Sequence, residues 1–150
     1  MSIFHSINTS GSALTAQRLR MDVVSSNIAN SESTRARVNE NDEWEPYRRK
    51  MVSLQSEGAS FSSHLRAAER KGDGANGVRA SVITEDESPF KMVFNPNHPD
   101  ADEAGFVAMP NVDPLQEMVD LMSATRSYEA NITALNASKG LLMKALEIGK

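Results

Sequence analysis

The chain contains no cysteine, which excludes disulfides, thiol nucleophiles and cysteine-based zinc sites and leaves its redox compartment open. Aromatic residues are only 5% of 150, so few large rings are available to fill a compact core. Neither sign of charge dominates. With 16 Lys and Arg against 20 Asp and Glu, the net charge of −4 gives no reason to expect a nucleic-acid or anionic-membrane partner. Nowhere do apolar residues run long enough to span a bilayer, which argues against direct membrane insertion. The opening residues, from Met1 to Ile7, carry neither the positive region nor the continuous apolar stretch of a cleaved signal peptide. No Gly-rich phosphate loop precedes a helix, and His5 and His64 lack triad partners nearby. The expectation is a protein with no enzymatic activity and no cofactor.

What is present lies at the two ends. Ile7, Leu14, Met21 and Ile28 fall seven apart, with Phe4 and Val24 on the adjoining position, which predicts half of a coiled coil over residues 1–30. From Pro114 a 3–4 alternation runs through Met118, Leu121, Thr125, Tyr128, Ile132, Leu135, Lys139, Leu142 and Leu146. This predicts the partner helix over 113–150. Asp113 suits the N-cap, Pro114 the first helical position and Gln116 a capping box, and Gly149 follows the last periodic residue. Leu115, Val119, Met122 and Leu141 lie partly off the seam, and a second apolar strip calls for a second partner.

Residues 1–30 hold only Arg18, Arg20 and Asp22 as charged groups. A helix facing water normally sets charge opposite its apolar stripe. Here the other face is built from Ser2, Ser6, Thr9, Ser10, Ser12, Thr15, Ser25, Ser26 and Asn27, which predicts that protein surrounds it. The competing reading is a Ser-rich helix that frays, since Gly11 costs about 1 kcal/mol against Ala.

Between the helices the period changes from helical to alternating. Short strands are expected within Pro46–Leu54, around Val78, Ala80 and Val82, and around Phe90, Met92 and Phe94. Ser56–Gly77, rich in Gly and Ser, reads as a long mobile loop with a helical turn near His64–Arg70. The fold class expected is α+β: long terminal helices paired as an antiparallel coiled coil (1–30 and 113–150) around a small β-rich middle domain (31–112), with the mobile loop near 56–77.

Several motifs have competing readings. His98, Asp100 and Asp102 form a string of metal-ligand types, yet no second cluster accompanies them, and Pro96 and Pro99 explain the local order as a rigid turn. Asn131-Ile-Thr133 and Asn136-Ala-Ser138 match glycosylation sequons but fall mid-helix, where helix-to-helix hydrogen bonds are the expectation. Arg48, Arg49 and Lys50 read as charge guarding an exposed strand edge. Met109, Met118, Met122 and Met143 read as gap-filling at irregular helix interfaces.

Ser12 to Asp22, leading into Ser26-Asn-Ile-Ala-Asn30, resembles the N-terminal signature of flagellar rod, hook and hook-associated proteins. Asn95-Pro-Asn-His-Pro-Asp-Ala-Asp102, Gly105-Phe-Val107, Pro110-Asn-Val-Asp113, Glu117-Met-Val-Asp120 and Ser127-Tyr-Glu-Ala-Asn131 narrow the resemblance to the C-type proximal rod proteins of the bacterial flagellar basal body. It covers roughly residues 1–55 and 78–150. Two departures stand out: Ser31–Trp44 lacks the Pro-Gly-Tyr of many axial relatives, and Phe94 stands where Tyr is common. The resemblance implies a structural subunit exported without cleavage and stacked helically in the periplasm-spanning rod, with paired terminal helices lining the tube and torque carried as shear. It implies as partners other proximal rod proteins, the adaptor joining rod to membrane ring, the distal rod protein and further copies of the chain.

On this reading Leu14, Met21, Asn27, Asn30, Met118, Met122, Tyr128, Asn131 and Leu135 are expected subunit contacts. Two alternatives stay open: another flagellar axial or export-linked adaptor role, and a metal-dependent hydrolase using His98, Asp100 and Asp102.

Overall fold

The computed structural model describes residues 3–39, 42–56 and 77–149, with side chains from His5 onward. The expected loop and its turn near His64–Arg70 fall at 57–76, outside the described residues. Among the described residues, two long helices bracket six short strands: α1 (Ile3–Ala29), β1 (Arg37–Val38), β2 (Trp44–Glu45), β3 (Lys50–Ser56), β4 (Val78–Glu85), β5 (Lys91–Phe94), β6 (Phe106–Met109) and α2 (Pro114–Ile148).

The end of α1 and the start of α2 each have a local chemical cause. The α1 helix stops where Asn30 and Ser31 satisfy its last carbonyls: Asn30 Nδ2 donates to Ser26 O at 2.9 Å and Ser31 Oγ to Ile28 O at 2.8 Å. The α2 helix begins as its sequence demands. Asp113 Oδ1 accepts from the Leu115 amide at 3.0 Å, and Pro114 occupies the first helical position, where a missing N–H costs nothing.

The strands pair in twos. β1 pairs antiparallel with β2, β3 with β4, and β5 antiparallel with β6, placing Lys91 opposite Met109 and Phe94 opposite Phe106. The three strands read from alternation are present. β1, β2 and β6 were not foreseen, because two-residue strands are too short to alternate and Phe-Val-Ala-Met in β6 has no polar residue to mark a face. The loop between β5 and β6 turns at Gly105, whose φ of 82° is left-handed and whose place against Phe94 leaves a Cβ only 3.0 Å from that ring.

The chain divides into two compact units. One comprises residues 1–20, 53–82 and 123–150, and the other residues 21–52 and 83–122. In the first, the Val78 amide donates to Ser12 Oγ at 3.0 Å, so a serine of α1 meets the start of β4. The second holds most of the buried apolar side chains: Val23, Val24, Tyr47, Val107 and Val112. Each unit draws on both helices, the end of α1 with the start of α2 in one and the reverse in the other, which is the antiparallel pairing expected.

The pairing seam is not the row read from hydrophobicity. Along α2 the buried and half-buried side chains include Glu117, Leu121, Ala124, Tyr128, Asn131, Leu135, Ser138 and Leu142, a regular 4–3 series. The row Leu121, Tyr128, Leu135, Leu142 is as expected, but its companion is Glu117, Ala124, Asn131, Ser138 rather than Met118, Thr125, Ile132, Lys139. On α1 the corresponding series is Thr9, Ala13, Ala16, Arg20, Val23 and Asn27, with Leu14 and Met21 half-buried beside it. Small residues in the companion row let the backbones approach closely there, the large side chains of the seam being those of the Leu121, Tyr128, Leu135, Leu142 row. Met118 and Met122 lie outward. Ala124 is 1% exposed while Met118 and Met122 are each 53% exposed.

Enlarging the seam therefore costs more than enlarging the outer row. Ala124→Leu is expected to lose about 1–3 kcal/mol by overpacking, whereas Val119→Leu stays within about 0.5 kcal/mol. Urea unfolding of both variants checks the contrast.

Candidate functional site

The second unit closes around a buried polar clamp. Asn27, in the last turns of α1, is 1% exposed and uses its full hydrogen-bonding capacity. Its Nδ2 donates to Lys50 O at 2.8 Å and to Glu117 Oε2 at 3.0 Å. Its Oδ1 accepts from the Tyr47 hydroxyl at 3.0 Å and from the Lys50 amide at 2.9 Å. One amide side chain thus joins α1, the entry to β3 and the first turn of α2.

Glu117 is equally buried, at 1% exposure, and a carboxylate in that position is tolerable only when paired. Arg49 supplies the charge, its Nε donating to Glu117 Oε1 at 2.6 Å. The same guanidinium reaches Asp120 Oδ2 at 3.6 Å and Asp86 Oδ2 at 3.8 Å. The Arg49 backbone is fixed as well, its amide donating to Asn111 Oδ1 at 2.8 Å while Asn111 Nδ2 donates to Asp86 O at 3.1 Å. Arg49 is therefore the centre of an ion-pair network and not a guard on a strand edge. Its neighbours in the basic run lie over rings instead, Arg48 at 4.4 Å from the Phe90 centroid and Lys50 at 5.6 Å from that of Tyr47.

Two carboxyls are held below their usual range. Asp86 is lowered first by the Ser88 hydroxyl, 2.5 Å away, and the Ser88 amide, with Arg49 adding to them. Asp100 is lowered first by its hydrogen bond from Arg35 and then by that from Thr34. A lowered folded-state pKa contributes stability above the unfolded value and loses it as pH falls through the folded value.

The string His98, Asp100, Asp102 is committed to the turn. Asp100 accepts from Thr34 Oγ1 at 2.8 Å and from Arg35 Nε at 2.7 Å, and Asp102 Oδ1 accepts from the Ala104 and Phe106 amides. Among the described residues no group of three or more His, Asp or Glu side chains is arranged to hold a metal ion.

Of the expected contact residues, Asn27 lies inside the clamp. Asn30 caps α1 and accepts from Ser33 Oγ at 3.2 Å. Met118 and Met122 are exposed, and Leu14, Met21, Tyr128, Asn131 and Leu135 are half-buried. The helix-to-helix bonds expected of the sequon asparagines are not what the structure shows: Asn131 Nδ2 donates to Ser127 O of its own helix at 2.8 Å, and Asn136 is exposed. Glu117 and Arg49 were missed as site residues. The available signal was Glu117 falling on the same 4–3 row of α2 as the uncharged Ala124, Asn131 and Ser138.

The second assembly feature is outward apolar surface. On the first turns of α2, Leu115 is 75% exposed and Val119 60%, alongside Met118 and Met122. On the β5–β6 hairpin, Phe94 is 64% exposed and stands edge-on to Phe106, ring centroids 5.3 Å apart, next to exposed Met92.

The clamp generates two expectations. Asn27→Asp replaces an amide donor with a carboxylate facing Glu117 and is expected to cost at least the roughly 3–5 kcal/mol of a broken buried pair, whereas Tyr47→Phe costs about 0.5–1.5 kcal/mol for one lost hydrogen bond. Denaturant unfolding orders the two. The stability of Asp86→Asn is expected to fall less steeply than that of the parent between about pH 5 and pH 2, as followed by circular dichroism.

Both helices that contribute to the clamp fall within matches to known families. Residues 7–37, which include Asn27, match the flagella basal body rod protein family, and residues 103–148, which include Glu117, match the flagellar basal body rod FlgEFG protein C-terminal family. The whole chain is 65% identical over 151 residues to the flagellar basal-body rod protein FlgC of Bacillus subtilis strain 168, covering 100% of both. It is 40% identical over 161 residues to the FlgC rod protein of Borreliella burgdorferi, covering 99% of this chain and 98% of that one. Against that of Salmonella typhimurium strain LT2 it is 38% identical over 150 residues, again covering 100% of both. Similar from end to end to these rod proteins, and built around a structural clamp, the chain belongs to the FlgC family of flagellar basal-body rod proteins, structural subunits that assemble into the rod and are not enzymes.

Proposed function

We propose that the chain packs side by side with its neighbours into the wall of a helical tube, and that this wall carries motor torque across the periplasm as shear over many interfaces. The observation that carries this reading is the outward apolar row of α2: Leu121, Tyr128, Leu135 and Leu142 alternate with Glu117, Ala124, Asn131 and Ser138 in the intrachain seam, while Leu115, Met118, Val119 and Met122 stand exposed. Exposed apolar area of this kind on a helix is stabilised only when another surface covers it.

The partners on this reading are other proximal rod proteins, the adaptor joining rod to membrane ring, the distal rod protein and further copies of this chain. Met118 and Met122 make direct contact, with Leu14, Met21, Tyr128, Asn131 and Leu135 contributing their half-exposed edges. Asn27 and Asn30 act on these contacts by fixing the end of α1. No described helix is long and apolar enough to cross a membrane, which suits attachment through protein partners.

Electron microscopy of basal bodies from a strain lacking this chain, scored with motility, tests the proposal. Membrane rings without a completed rod are expected, and intact rods bearing filaments would overturn it. A finer test is the pair Met118→Asp with Met122→Asp. Both positions are exposed, so the purified variant is expected to melt within a few degrees of the parent, as surface changes do, while motility is lost.

A further inference from the structure

The β5–β6 hairpin presents apolar side chains to solvent, and its strands are only four residues each, a length that is marginal for a hairpin alone. Its packing anchor is Val107, 1% exposed, and its open end is tied where Lys91 Nζ donates to Val112 O at 2.7 Å. The connecting loop at the other end is held from within by Asp102, which caps the Ala104 and Phe106 amides. A bond from outside the hairpin also reaches this loop. Asp100 takes the Thr34 hydroxyl at 2.8 Å and the Arg35 guanidinium, whose Nε lies at 2.7 Å and whose terminal nitrogen contacts the same carboxylate oxygen. The Asp100 amide in turn donates to His98 Nδ1 at 3.1 Å, which keeps the carboxylate turned toward the Thr34–Arg35 segment.

Such a contact does something the other ties do not. Internal caps shape a loop without orienting it, whereas a two-donor, charge-assisted bond to another segment fixes its direction. We propose that Asp100 is the latch of this hairpin, a positioning residue that ties the connecting loop to the segment following α1 and so holds the Met92, Phe94 and Phe106 face in one orientation. The latch belongs to the fold of the single chain and is independent of the rod-assembly reading.

Hydrogen exchange of the full-length chain at neutral pH, read residue by residue, tests it. Asp100→Asn and Arg35→Gln are each expected to speed exchange across residues 93–106 by about tenfold or more, with α1 and α2 unchanged, because local opening is freed without global unfolding. The exchanged pair, Arg35→Asp with Asp100→Arg, is expected to return exchange there to within about threefold of the parent by restoring the ion pair. Unchanged protection in the single variants would overturn the proposal. So would acceleration spread evenly over both helices, or a pair that exchanges as fast as its single variants.

Discussion

The hydrogen bond between Asn27 and Glu117 is the contact on which the rest of the second unit depends. It buries a carboxylate, and burying a charge is costly unless every lone pair finds a donor. That requirement recruits Arg49, and Arg49 recruits Asp86, Asp120 and, through its backbone, Asn111. Asn27 simultaneously takes both backbone groups of Lys50, so the path of the chain into β3 follows from the same side chain. Removing one member leaves the others buried and unpaired, which is why such a network behaves as a unit.

A polar clamp of this sort suits a subunit whose apolar surface is needed elsewhere. Hydrophobic burial is non-directional and accepts any well-fitting partner. With polar groups fixing the geometry around Asn27, the internal structure of this unit does not depend on the apolar side chains that stand exposed. The exposed row on α2 and the Phe94–Phe106 pair on the β5–β6 hairpin are both arranged in this way.

The two helices, the N-terminal start of α2 and the existence of a β-rich middle were legible in the sequence, since long periodic segments and the Asp113-Pro114 start carry strong local signals. The seam was not. Hydrophobic periodicity reports which residues avoid water in the final assembly, and in α2 two apolar rows are superimposed, one turned inward and one outward. Reading the more apolar row as the seam assigned Met118 and Ile132 inward, whereas close approach of the backbones favours Ala124 and Ser138. The clamp was illegible for a different reason: Arg49 and Glu117 are 68 residues apart, and only tertiary contact distinguishes them from ordinary surface charge. Asn27 stood within the Ser26–Asn30 motif, but its partners lie in two other segments, Tyr47–Lys50 and the first turn of α2.

The clamp also has a mechanical side. Apolar contacts keep most of their energy when one surface slides over another, but hydrogen bonds weaken steeply once donor and acceptor are misaligned. A side chain bonded in four directions resists twist about every axis through it. Around Asn27 the chain is accordingly stiff against rotation and not merely against separation, so a load applied sideways meets an elastic joint rather than a slipping one.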